Sequence, residues 1–215
     1  MAKIYTLDEL PKTLPLFPLN GVTLLPRMQF PLSIDEPHAL NMIDDALKTD
    51  RMIGIIQPKH MDDRMPPLYA IGTGARIMAF DETDEGKYII GATGVCRFRL
   101  RQEVPTPRDY RVGEVEWDAY AADLRVPDPY HFQRRVLIGQ LQDFFNHSGI
   151  DVDWEAIGRT PDALLVNSLS ILCPFGVPEK QALLEAASVE KRLETLQAIL
   201  TFANTPGPAA QRVLN

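Results

Sequence analysis

Cysteine is scarce: Cys96 and Cys173 are the only two in 215 residues. They lie far apart in apolar surroundings, which argues against a disulfide framework and reads as two reduced core thiols. Long apolar runs are absent as well. None approaches the roughly 18–20 residues needed to cross a bilayer. The opening residues, MAKIYTLDEL, lack the basic stretch and apolar core of a secretory leader, so the cytoplasm is the expected location and no membrane partner is expected. Positive charge is also in deficit. The formal net charge is −7 and the pI about 5.1, with acidic residues in excess in both halves. An acidic field without clustered Lys and Arg opposes approach to a polyanion, which argues against nucleic acid as the partner.

The familiar catalytic patterns are missing too. Gly86–Lys87 runs into Tyr88 without the second glycine of a phosphate loop, and there is no GxGxxG, GxSxG or HExxH. The four histidines, His38, His60, His131 and His147, stand apart in sequence. His60 near Asp62 and Asp63 reads as a solvated polar loop rather than a metal site. A Ser–Lys dyad from Ser168 or Ser170 with Lys180 would need a strained, exposed serine and a dry lysine pocket. The serines fall instead on an apolar helical stretch. The paired carboxylates, such as Asp44–Asp45 and Asp81–Glu82, read as solvated. No catalytic residue, metal ligand or cofactor is expected from these patterns.

What the chain does have is a proline-studded apolar run. Residues 14–32, LPLFPLNGVTLLPRMQFPL, place Pro15, Pro18, Pro26 and Pro31 among leucines, Phe17, Val22, Met28 and Phe30. Proline removes a backbone donor, so the run is neither a helix nor a regular central strand. It is too apolar for a solvated linker. Short strands near a sheet edge, broken by turns and buried by side chains, are the expectation.

The rest of the first half reads mainly as strands, with one helix from Pro37 through Lys48. Strands are expected at 53–56, at 75–80 and 87–93 joined by the acidic connection DETDEG, at 95–101, and within 112–120. Glycines 72, 74, 91 and 94 fit bends or bulges in a curled sheet. After about Leu124 the rhythm becomes helical. Asp128–Pro129 and Thr160–Pro161 look like helix starts, Pro174 and Gly176 a stop, Pro178 a new start and Ser188 a cap. The expected fold class is α+β. A β-rich domain occupies 1–122, a helical bundle 123–204, and a loosely ordered tail 205–215.

Two features have the chemistry of a contact site. The first is the loop over residues 57–69, QPKHMDDRMPPLY, which carries Met61, Met65, Leu68 and Tyr69. Exposed methionines adapt to varied apolar partners, whereas buried ones would merely anchor the loop. The second is the alternation of Arg97, Arg99 and Arg101 against Cys96, Phe98 and Leu100 on one strand. A solvated sheet face is the plain reading. Contact to an anionic peptide, to the acidic bundle or to another subunit is the other.

These segments carry a resemblance. The run at 14–32, the following DDALKTDRMIGIIQP, the block LYAIGTGARIMAFDETDEGKYIIGATGVCRFRL and the stretch VNSLSILCPFGVPEKQALLEAASVEKRLETLQAIL together resemble the N-terminal domain of Lon proteases. They most resemble bacterial proteins that contain that domain alone. The resemblance implies a PUA-like β-barrel followed by an α-helical bundle. In full-length Lon this domain precedes an ATPase and a Ser–Lys protease and helps hold unfolded or tagged substrates. For this chain it implies recognition without cutting, with unfolded or tagged polypeptides as partners and a protease or chaperone beside them. Where the family commonly has an IFEPRY-like stretch, this chain has IDEPHA, with Asp35, His38 and Ala39. Two other classes of function stay open. One is RNA binding through Arg97, Arg99, Arg101, Arg108 and Arg111; the other is an enzyme acting on a small molecule between the halves.

Overall fold

Six strands form one sheet in the order 29–34, 88–103, 71–82, 52–56, 13–18 and 111–116, and a further pairing of the second of these with the last closes five of them into a barrel. The computed structural model describes residues 5–62, 65–127 and 129–205. Its strands are β1 (Thr13–Pro18), β2 (Gln29–Ile34), β3 (Met52–Ile56), β4 (Ile71–Glu82), β5 (Tyr88–Glu103) and β6 (Arg111–Glu116). Helix α1 (Pro37–Leu47) lies between β2 and β3, with Pro37 in its first turn. After β6 a 3-10 segment covers Asp118–Leu124. Then come α2 (Arg134–Ser148), α3 (Trp154–Arg159), α4 (Asp162–Leu172), α5 (Val177–Glu185) and α6 (Val189–Ala203).

The prolines explain the odd run at its start. β2 is a true edge, paired with β5 alone. Arg27 N–H donates to Gly94 O (2.8 Å) and Gly94 N–H to Met28 O (3.0 Å). That phase gives the ladder bonds to Phe30, Leu32 and Ile34 and turns Pro31, which has no N–H, to the open edge. β1 differs from the expectation of an edge. It lies between β3 and β6, yet β6 pairs only with Thr13 to Leu16 and β3 only with Leu16 to Pro18. Each proline therefore faces a neighbour on one side at most. A strand that changes partner midway tolerates prolines that a regular central strand would not.

The strands at 87–93 and 95–101 are one strand in the structure. β5 runs unbroken for 16 residues, kinked by register shifts opposite Gly74/Ala75 and Ile77/Ala79. Two of the glycines read as bends or bulges, Gly74 at the first of these shifts and Gly72 near it, also make room for aromatic rings. A Cβ on Gly72 would stand 2.7 Å from the Phe98 ring, and one on Gly74 would stand 2.5 Å from the Trp117 indole. Phe98 and Trp117 meet edge to face at 5.7 Å in one buried cluster with Leu14, Leu16, Ile56 and Cys96. Ile53 and Ile55, which alternate with Met52 and Ile56 on β3, face the other side of the sheet in a second cluster with Ile77, Ile90 and the buried face of α1, Met42, Ile43 and Ala46.

The chain divides into two compact units, Met1–Pro127 and Asp128–Asn215. The first unit extends past residue 122 because the 3-10 segment folds back on β5. Arg97 and Asp123 form a buried ion pair there, and Arg27 donates to Asp123 O (3.3 Å) and Arg125 O. The second unit is a helical core of Leu137, Leu141, Phe144, Leu165, Leu169, Phe175, Leu183, Leu196 and Leu200. α2 starts at Arg134 rather than just after Pro129, and residue 128 lies outside the described residues. Gly149 ends α2 in the left-handed region, at φ 65°. α3 had no counterpart in the sequence reading; Asp153 caps it by accepting from Ala156 N–H. Ser188 caps α6 as read, accepting from Lys191 N–H at 3.3 Å. The tail expected over 205–215 falls outside the described residues from 206 onward.

Candidate functional site

The loop that joins β3 to β4 is paired at its base. Tyr69 N–H donates to Gln57 O (3.0 Å), Lys59 N–H donates to Pro67 O (2.8 Å), and Pro58 bridges Leu68 across the base. Leu68 is buried in the same cluster as Cys96, Phe98 and Trp117, so it anchors the loop and is not a contact residue. A second clamp comes from Arg111. Its guanidinium donates to Pro66 O (2.8 Å) and to the Glu103 carboxylate (2.6 Å). Neither Arg111 nor Glu103 carries a sequence signal for this, because the Pro66 carbonyl that the clamp holds lies 45 residues from Arg111. Above this fixed base, Met61 and Met65 are 62% and 67% exposed, and Tyr69 is half-buried. Two flexible thioether side chains held out from a rigid base suit contact with apolar partners of varied shape.

The arginine triad is split. Arg97 is buried, with its Nε and Nη2 on the two Asp123 oxygens at 2.8 Å each, its N–H on the same carboxylate at 3.0 Å, and its guanidinium 4.3 Å from the centre of the Tyr120 ring. The alternation was right, but the 3-10 segment Asp118–Leu124 covers that position of the strand. Arg97 holds the fold and does not offer a contact. Arg99 and Arg101 are exposed, Arg99 opposite Glu116 and Arg101 in an ion pair with Glu116. The wider set required for an RNA surface is also tied to carboxylates: Arg108 to Asp45 (2.6 Å) and Arg111 to Glu103. Paired, dispersed arginines on an acidic chain do not form a phosphate-binding face.

Other candidate chemistry resolves into structure. Among the described residues no group of three or more His, Cys, Asp and Glu is placed to hold a metal ion. The Ser170 hydroxyl donates to Val166 O (2.7 Å) and the Lys180 amine to Ile171 O (3.1 Å), both inside helical backbone. Burial pushes the thiols of Cys96 and Cys173 up to about 12. Both cysteines are buried and unlinked. Within IDEPHA, Asp35 and His38 are exposed and Ala39 is on the buried face of α1. Two polar hollows of about 240 and 310 Å³ lie in the first unit, one beside Arg51 and Arg76, the other beside Asp45 and Tyr110. Among the described residues no helix is long and apolar enough to cross a membrane.

This architecture has relatives. A crystal structure of a Lon N-terminal domain protein from Xanthomonas campestris superposes with a TM-score of 0.61 and 26% identity, covering 86% of this chain and 97% of that one. The N-terminal domain of a Mycobacterium avium complex Lon protease shares the fold at a TM-score of 0.56 and 20% identity, covering 88% and 98%. Lon protease 1 of Thermus thermophilus is 28% identical over 205 residues, 90% of this chain and 25% of its own length. Lon protease 2 of Myxococcus xanthus is 24% identical over 90% of this chain and 24% of its own. The chain thus spans about a quarter of the curated relatives it matches. Residues 13–201 match the substrate-binding domain of ATP-dependent protease La (LON). With barrel, bundle and sequence in agreement over that span, the chain belongs to the Lon substrate-binding domain family.

Proposed function

We propose that this chain is a non-catalytic polypeptide-binding module that holds exposed apolar segments of other proteins for proteolysis. The observation that carries the reading is the family match over residues 13–201. The contact we assign is the loop over residues 57–69, led by Met61 and Met65, with Arg99 and Arg101 on the neighbouring strand β5. Its support is the contrast between a base fixed by Leu68 and Arg111 and a tip with two exposed methionines. A mobile base would spend binding energy on ordering the loop; a fixed one does not.

The test is fluorescence anisotropy of a dye-labelled, permanently unfolded protein titrated with the full chain and with the Met61→Ser, Met65→Ser double variant. Surface substitutions of this kind change stability by less than about 0.5 kcal/mol, so melting should not move. Partial burial of two methionines accounts for about 1.4 kcal/mol, hence about tenfold weaker binding by the variant. Equal affinity of the two proteins removes the loop from the site. No binding by either removes the function.

A further inference from the structure

The outward face of β2, β5 and β4 at the hairpin end differs in kind from the rest of the barrel. At the far end of β5 the outward side chains are polar and tied across strands, with Gln102 donating to Glu114 (2.8 Å) and Arg101 paired with Glu116. At the hairpin end Pro31, Gly91 and Ala79 stand in one cross-strand row and Ser33, Ile89 and Asp81 in the next. Leu32 and Ile90, which alternate with these residues on β2 and β5, are buried in the cluster under α1, so these rows point away from that cluster. Ile89 is 45% exposed, and Met78, the extra residue of the bulge before Ala79, is 55% exposed. A Cβ on Gly91 would stand 3.3 Å from that of Ala79, so glycine keeps the floor between them low. Around this apolar floor Asp81, Glu82, Asp84 and Glu85 are exposed, against Lys87 as the one cation of residues 81–87.

We propose that this face docks extended polypeptide segments that combine apolar with cationic residues, a reading that rests on the chain being a polypeptide-binding module. Apolar side chains would cover Ile89, Met78 and Pro31. The acidic rim would draw Lys and Arg and repel acidic segments, which sets specificity and encounter rate. Pro31 closes the β2 edge to strand addition, so the contact is made by side chains on the face and not by backbone pairing. A second copy of this acidic chain is a poor occupant, because the rims would repel.

The experiment compares two unstructured dye-labelled peptides of equal length, one alternating Leu and Phe with Lys and Arg, the other with Glu in place of the cations. The full chain should bind the basic peptide about tenfold more tightly at low salt, with the preference shrinking as salt screens the exposed charges. Asp84→Lys with Glu85→Lys should reduce that preference several-fold. Ile89→Thr, which keeps a β-branched residue in the strand, combined with Met78→Ser should weaken binding of the basic peptide about fivefold with an unchanged melt. If both peptides bind and neither variant alters them, the face is not the site, while the polypeptide-binding reading stands. If neither peptide binds the full chain, both fall. Sedimentation showing a dimer that Ile89→Thr dissolves would assign the face to a second copy and overturn the proposal.

Discussion

Arg97 and Arg99 stand two residues apart on β5 and meet opposite fates. Alternation assigns both to one face of the strand, and that much was legible in the sequence. What covers a face is a tertiary fact. Asp123 reaches Arg97 from 26 residues away, and no local pattern announces it. Leu68 shows the same limit: within an exposed-looking loop it turns inward to meet Phe98. The pairing of Arg97 and Asp123 makes a sharp prediction. Their side chains are 5% and 10% exposed, so Asp123→Ala leaves a buried guanidinium without its carboxylate. The expected loss is about 3–5 kcal/mol of unfolding free energy, measured by urea denaturation. A loss below about 1 kcal/mol would mean that Arg97 is solvated and free to act in binding.

At the scale of elements, helix starts were legible where a single residue sets the geometry. Pro37 and Pro178 fix the first turns of α1 and α5, and Ser188 caps α6. α3 was not legible, because six residues hold too little periodicity to detect. What fixes α3 lies on another helix. Arg134 of α2 donates to Ile157 O (3.2 Å), Gly158 O (3.0 Å) and Thr160 O at the end of α3, and to the Asp162 carboxylate at the start of α4. Burial pushes the Asp162 carboxyl up. The Arg134 hydrogen bond, the Phe132 N–H, the Arg134 charge and His131 outweigh it and hold the group below its ordinary 3.8. A lowered carboxyl stabilises the fold above its unfolded pKa and loses that contribution as pH falls through the folded value. Asp162→Asn should therefore be less stable than the parent at pH 7, and the gap should close as pH falls from about 4 toward 2. Paired denaturation curves across that range check it, and a gap independent of pH would show that the latch does not depend on the Asp162 charge.

At the scale of the whole molecule, the change from a strand rhythm to a helical one was visible near residue 124, and the structure has units of Met1–Pro127 and Asp128–Asn215. Closure of the barrel was not visible. It depends on β5 meeting β6 while β1 divides itself between β3 and β6, pairings between segments far apart in the chain. The resemblance carried by the proline run supplied that step, and physics accounts for it afterwards: Pro31 blunts an open edge, and Pro15 and Pro18 sit where one neighbour is missing. The site was only half legible. Methionines in a loop are visible in a sequence, but the clamp that makes the loop a firm platform is not. On the proposed function, this molecule holds unfolded polypeptide. The most direct test is calorimetric titration of the full chain with one small disulfide-bonded protein in two forms, native and reduced with its thiols blocked. Micromolar binding of the unfolded form and none of the native form is expected. Equal binding of both forms, or binding of neither, would contradict that function.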